Sequence, residues 1–199
     1  MSNPNLELPM WNIIEEYYVK VLKTFSENYL DEDKRPTILN GCRSDYFSDL
    51  LKKYPAVFNL YITAVNKGKV NTNTYKQDKL EFSIDVFTAP KKNVNKLNIE
   101  NQGELAYKTS QLYLNFVRTC LSDLKVVTPE IEGDGDGKKI YFTSNFYFEG
   151  IEHLEIDNSN AEIAISAARM KYTVECPFYP SDSQNYTALK EIITQINIV

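Results

Sequence analysis

One histidine, His153, serves all 199 residues, and the 3 cysteines carry no C-x-x-C spacing. A Ser-His-Asp or Cys-His scheme would have to recruit that single imidazole, and no G-x-S-x-G turn supplies a nucleophile. Neither G-x-G-x-x-G nor G-x-x-x-x-G-K-[ST] occurs, so the common nucleotide cradles are unsupported. Cys42, Cys120 and Cys176 are odd in number and widely spaced, which predicts small buried thiols in a reducing compartment. No apolar run approaches ~20 residues, so no membrane-spanning helix is expected. The opening "MSNPNLELPMW" has no basic stretch leading into an apolar one, so no signal peptide is expected. Positive charge is also short: 22 basic against 27 acidic residues give a net charge of −5, which argues against non-specific nucleic-acid binding as the main task.

What is present is periodic apolar sequence. Trp11, Ile14, Tyr18, Val21, Leu22, Phe25 and Tyr29 recur at steps of three and four, predicting a helix with Glu15, Glu16, Lys20 and Lys23 off its apolar stripe. Pro36 and the charges of "LDEDKRPT" end it. A short helix is predicted in "SDYFSDLLKKY", capped by Ser44 or Asp45 and closed by Pro55. The β-branched and aromatic run "AVFNLYITAV" predicts a strand. In "KLEFSIDVFTA", Leu80, Phe82, Ile84 and Val86 alternate with Glu81, Ser83 and Asp85, predicting one face on a core and one in water.

A long helix is expected from about Glu104 to Lys125, its buried line formed by Leu105, Leu112, Phe116, Cys120 and Leu124 and widened by Tyr113, Val117 and Leu121. The strands "KIYFTSNFYFEG" and "AARMKYTVECPF" follow, and a C-terminal helix carries Tyr186, Leu189, Ile192, Ile193 and Ile196. The expected fold is one α+β domain over 1–199: a two-layer arrangement whose antiparallel sheet has about four strands, as two hairpins split by the long helix. The N- and C-terminal helices pack on one face, and polar loops occupy 66–79 and 90–103.

Two stretches invite a chemical interpretation. In "EGDGDGKK", Glu132, Asp134, Asp136 and Gly137 echo a calcium loop. Position twelve, however, would be Thr143, which cannot chelate bidentately, and a strand follows where a helix is required. A turn accounts for the glycines and aspartates equally well. His153, Glu155 and Asp157 share one face of an extended segment, a potential metal trio, but three residues on one strand rarely close around an ion. No catalytic set, metal or cofactor is therefore assigned. Lys67, Lys69, Lys76 and Lys79 concentrate positive charge in the first polar loop, a candidate docking loop or, in the alternative, the basis of a nucleic-acid-binding module. Tyr61, Tyr141 and Tyr147 lie on the polar faces of their strands and are candidate interface aromatics.

The order of "YPAVFNLYITAV", a long loop, "LEFSIDVFTA", a helix ending "LNFVRTCLSDL" and the closing strand "ISAARMKYTVECPFY" resembles tail terminator (tail-completion) proteins of long-tailed bacteriophages and related injection machines. The resemblance spans most of residues 10–178 and rests on element order and strand texture. It implies a structural protein of a virion's tail or neck, assembled in the host cytoplasm as a homo-oligomeric ring, usually six-fold. Such a ring caps the tail tube and joins it to head-connector proteins, while DNA crosses its lumen without specific binding. On that resemblance Glu132, Asp134 and Asp136 would suit an acidic lumen, where like charge keeps DNA off the wall. The lysine-bearing loop would suit docking onto the tube. Head-tail adaptors and baseplate components share similar small α+β folds and remain alternatives.

Overall fold

The computed structural model describes residues 10–41, 47–67, 77–90, 99–122, 146–156 and 164–177. In chain order these form α1 (Met10–Tyr29), a 3-10 turn (Glu32–Lys34), β1 (Thr37–Asn40), α2 (Phe47–Leu51), β2 (Ala56–Lys67), β3 (Gln77–Thr88), α3 (Ile99–Leu121), β4 (Tyr147–Leu154) and β5 (Ser166–Pro177). The fold is α+β. The strands make one sheet in the order β1-β2-β3-β5-β4, with β2–β3 and β4–β5 as the two expected antiparallel hairpins, joined through β3–β5.

The fifth strand departs from expectation. Residues 37–40, "TILN", run parallel to β2, with Thr37 opposite Val57 and Asn40 opposite Leu60. Gly41 ends the strand with φ +61, a backbone region open to glycine, and its N–H donates to Leu60 O at 2.9 Å. The sheet is therefore mixed, and α2 lies on the crossover between β1 and β2. Four residues are too few to show alternation, and parallel pairing leaves no turn signature beside them.

Alternation divides each strand cleanly. Phe58, Leu60, Leu80, Phe82, Ile84, Val86, Ala168, Met170, Tyr172, Val174 and Cys176 face α1 and α3, where they bury Ile14, Tyr18, Leu22, Leu114, Val117 and Leu121. Rings dominate the centre: Tyr18 lies 4.3 Å from Phe146 and 5.5 Å from Phe82, and Phe146 stacks on Tyr172 at 4.5 Å. Each such pair adds about 0.5–1.5 kcal/mol beyond the burial of its area. Cys120 and Cys176 are buried and free, and burial pushes the Cys120 thiol up to about 12. A smaller cluster sits on the opposite face, where Phe47 and Leu51 of α2 meet Val57, Phe87 and Ala167. Helices thus touch both sides of the sheet. The expected C-terminal helix, the Ser44 and Asp45 caps, Cys42 and Leu124 lie outside the described residues.

Four side-chain assignments are corrected. Leu105 and Leu112 do not belong to the buried line of α3, and Leu112 is 73% exposed. The line runs instead through Ala106, Ser110, Tyr113, Leu114, Val117, Cys120 and Leu121. Small residues let this end of α3 come close to the sheet. Thr88 Oγ1 donates to Ala106 O at 2.8 Å, and Ser166 Oγ meets Ser110 Oγ at 3.5 Å. Glu15, expected off the apolar stripe, is buried, and its Oε2 accepts the Ile62 N–H at 2.8 Å. Tyr29, expected on the stripe, is exposed and stacks on Phe25 at 5.5 Å.

Candidate functional site

The sheet face turned away from α1 and α3 collects nearly all the polar side chains of the central strands. The register sets Asn59, Asp85, Arg169 and Glu152 in one row and Tyr61, Ser83, Lys171 and Gly150 in the next. A third row pairs Glu81 with Thr173 and Thr173 with Tyr147. Side chains opposite one another stand about 5 Å apart, so each row can bond across the strands.

It does so through a defined network. Arg169 grips Asp85 with both arms, Nε to Oδ1 at 2.7 Å and Nη2 to Oδ2 at 3.0 Å. Tyr61 Oη donates to the same Asp85 Oδ2 at 3.0 Å, and the guanidinium lies 5.9 Å from the Tyr61 ring centre. Lys171 Nζ pairs with Glu152 Oε2 at 2.7 Å. Thr173 Oγ1 donates to Glu149 Oε1 at 2.7 Å, an approach made possible by the bulge between Phe148 and Gly150. Asn66 Nδ2 donates to Glu81 Oε1 at 2.8 Å.

The face expected to be wet is therefore partly buried. Asn59, Ser83, Asp85 and Thr173 are all withdrawn from solvent, because the longer side chains of neighbouring strands, Tyr61 and Arg169 among them, reach across them. Burial, followed by the adjacent Asp85 carboxylate, raises the Tyr61 phenol above its ordinary range. The hydrogen bond to Asp85 holds Arg169 charged well above its ordinary range. Both groups keep their protons near neutrality. Beside it a depression of about 370 Å³ is lined by Thr63, Lys79, Glu81, Ser83, Glu149, Arg169, Lys171 and Thr173.

Of the sequence-derived candidates, Tyr61 is half-buried and committed to Asp85, and Tyr147 is exposed opposite Thr173. Lys79 lines the depression. Lys67 ends β2. Lys69, Lys76, Tyr141, Glu132, Asp134, Asp136 and Asp157 lie outside the described residues. The segment containing His153 is the second half of β4, and the imidazole packs 5.5 Å from the Tyr107 ring. Among the described residues, no three His, Cys, Asp or Glu side chains are grouped to hold a metal ion. No helix described is long and apolar enough to cross a membrane.

A second surface borders the first. Along the flank between α3 and β4, Tyr107, His153 and Ile151 form an exposed strip. Ile151 and His153 stand opposite Met170 and Ala168, so both point to the helix side of β4, the outermost strand described at that edge. Further along, Arg118 covers the Phe148 ring at 4.7 Å. No family model matches the chain, and no curated protein matches it.

The Asp85–Arg169 pair escaped sequence inspection because its members are 84 positions apart and meet only once register is known. The available signal was a carboxylate and a guanidinium, each on the polar face of an alternating strand, where opposite charges can pair once the strands are set side by side.

Proposed function

We propose that this chain is a structural assembly protein, and specifically a ring-forming tail terminator of a phage or phage-like particle. The observation that carries the assembly reading is the strip of Tyr107, His153 and Ile151 beside the outermost described strand. Exposed aromatic and aliphatic side chains contiguous along a sheet edge are the kind of surface that a neighbouring subunit covers. Tyr147 extends it on the other side of the same strand, an amphipathic ring of the type enriched at protein contacts.

The resemblance in element order supplies the specific assignment. In that role copies of the chain close into a ring, six-fold by analogy with the family it resembles, between tail tube and neck proteins, and DNA passes without specific binding. Head-tail adaptors and baseplate components are the nearest alternatives, since they use similar small folds for similar contacts. Negative-stain electron microscopy of the purified full chain tests the proposal. Closed rings support it, whereas isolated single-chain particles at every concentration contradict it.

A further inference from the structure

The two long helices present unlike surfaces. Helix α1 packs over β1 and β2, and α3 over β3 and β5. On the β4 flank of α3, Arg118 lies over the Phe148 ring, and Phe148 shares the helix side of β4 with Ile151 and His153. Among the described residues that guanidinium has no carboxylate partner. The end of α1 carries the opposite sign. Tyr29 is 70% exposed and stacks on Phe25, which packs against the core. Around it stand Glu27, Asp31, Glu32 and Asp33. Lys34 pairs with Asp31, and the Arg35 guanidinium donates to the Glu27 and Leu30 carbonyls. No ion pair among the described residues answers Glu27 or Glu32. Tyr113 Oη donates to Lys34 O at 2.6 Å, which fixes this acidic corner on the α1 side of α3, away from the Arg118 strip.

We infer that the acidic Tyr29 corner of one copy docks on the Arg118–Ile151–Tyr107 strip of the next. Each surface has what the other lacks: an exposed ring beside unanswered carboxylates, and an apolar strip beside an unanswered guanidinium. Tyr29 covers Ile151, and Glu27 or Glu32 supplies the carboxylate for Arg118. The guanidinium is already held over Phe148, so its edge is free to take two parallel hydrogen bonds. Opposite charge at the contact fixes which surface meets which. Because the two surfaces differ, the contact is head-to-tail and repeats from copy to copy until the rotation closes. This inference rests on the assembly proposal and names the two faces that make the ring.

Sedimentation velocity of the full chain, with Ile151→Lys and Tyr29→Lys made separately and then mixed, tests it. Each variant spoils one surface and keeps the other, so each alone should sediment as a single chain. An equimolar mixture should give dimers of one variant with the other and nothing larger, because the spoiled surfaces meet as lysine against lysine. Arg118→Met should raise the concentration at which the parent assembles by about tenfold and flatten its salt dependence. Circular dichroism melts establish that all three variants fold. Tyr29→Lys assembling like the parent overturns the inference. So does a mixture that stays monomeric or grows beyond dimers, or Arg118→Met assembling like the parent. Each of those results leaves the assembly proposal standing, whereas a parent that is a single chain at every concentration removes both.

Discussion

The carboxylate of Glu15 on α1 accepts the backbone N–H of Ile62 on β2 at 2.8 Å, at the place where the sheet loses a strand. Strand β1 stops at Asn40, opposite Leu60, and Gly41 still bonds the Leu60 carbonyl. Two residues on, Ile62 presents its N–H to the same edge, where no strand among the described residues receives it. A buried side chain from the helix layer caps it instead, tying α1 to the sheet at that point.

Glu15→Gln tests the capping directly. Burial, the largest cause, raises the Glu15 carboxyl above 4.5, while the Ile62 N–H opposes the rise and Glu16 adds to it. A raised acid binds its proton more tightly in the folded chain than in the unfolded one. Its contribution is therefore fully present below about pH 4.5 and lost as pH rises through the shifted value. The amide keeps an acceptor without the charge. Urea melts from pH 4 to pH 8 should show the variant within about 1 kcal/mol of the parent, with that part of the pH dependence gone. Glu15→Ala should cost about 1–3 kcal/mol at every pH, because the N–H is left uncapped.

The network on the opposite face predicts a second series. Asp85 is almost wholly buried and bonds both Arg169 and Tyr61. Asp85→Ala should destabilise by about 3–5 kcal/mol, since it leaves a partly buried guanidinium without its partner. Tyr61→Phe removes one donor and should cost about 1 kcal/mol. In a double-mutant cycle, Asp85→Ala with Arg169→Met should recover part of the loss, giving a coupling of about 1–3 kcal/mol. Strict additivity would mean that the pair does not act as a unit.

Helix α3 supplies a contrast between two neighbouring leucines. Leu114 is buried and Leu112 is largely exposed. Leu114→Ala should lower unfolding free energy by about 2–5 kcal/mol, and Leu112→Ser should stay within about 0.5 kcal/mol. Chemical denaturation of both variants checks the rotation of the helix. Equal losses would restore Leu112 to the core.

How far the fold was legible depended on whether periodicity alone could decide it. The alternation of Leu80, Phe82, Ile84 and Val86 was enough to place β3, and the same pattern from Ala168 to Cys176 placed β5. Periodicity failed where size mattered more than hydrophobicity. On α3 the residues nearest the sheet include Ala106 and Ser110, so ranking by apolar character turned the helix toward Leu105 and Leu112. It also failed where only tertiary neighbours reveal the role. Glu15 looks like a solvent residue until β1 ends short of Ile62, and Asp85 looks wet until Arg169 is set opposite it. The polar face was foreseen as a face. Its internal pairing, and the depression beside it, required the register.

The assembly reading makes its sharpest claim about the strip of Tyr107, His153 and Ile151. Sedimentation velocity of the purified chain across a range of concentrations, alongside Ile151→Lys, measures it most directly. The account predicts a discrete assembly of several copies, about six times the 23.0 kDa chain mass by analogy with the family it resembles, and its loss in a folded Ile151→Lys. A species of 23.0 kDa at every concentration would contradict it, as would an assembly that the lysine leaves intact.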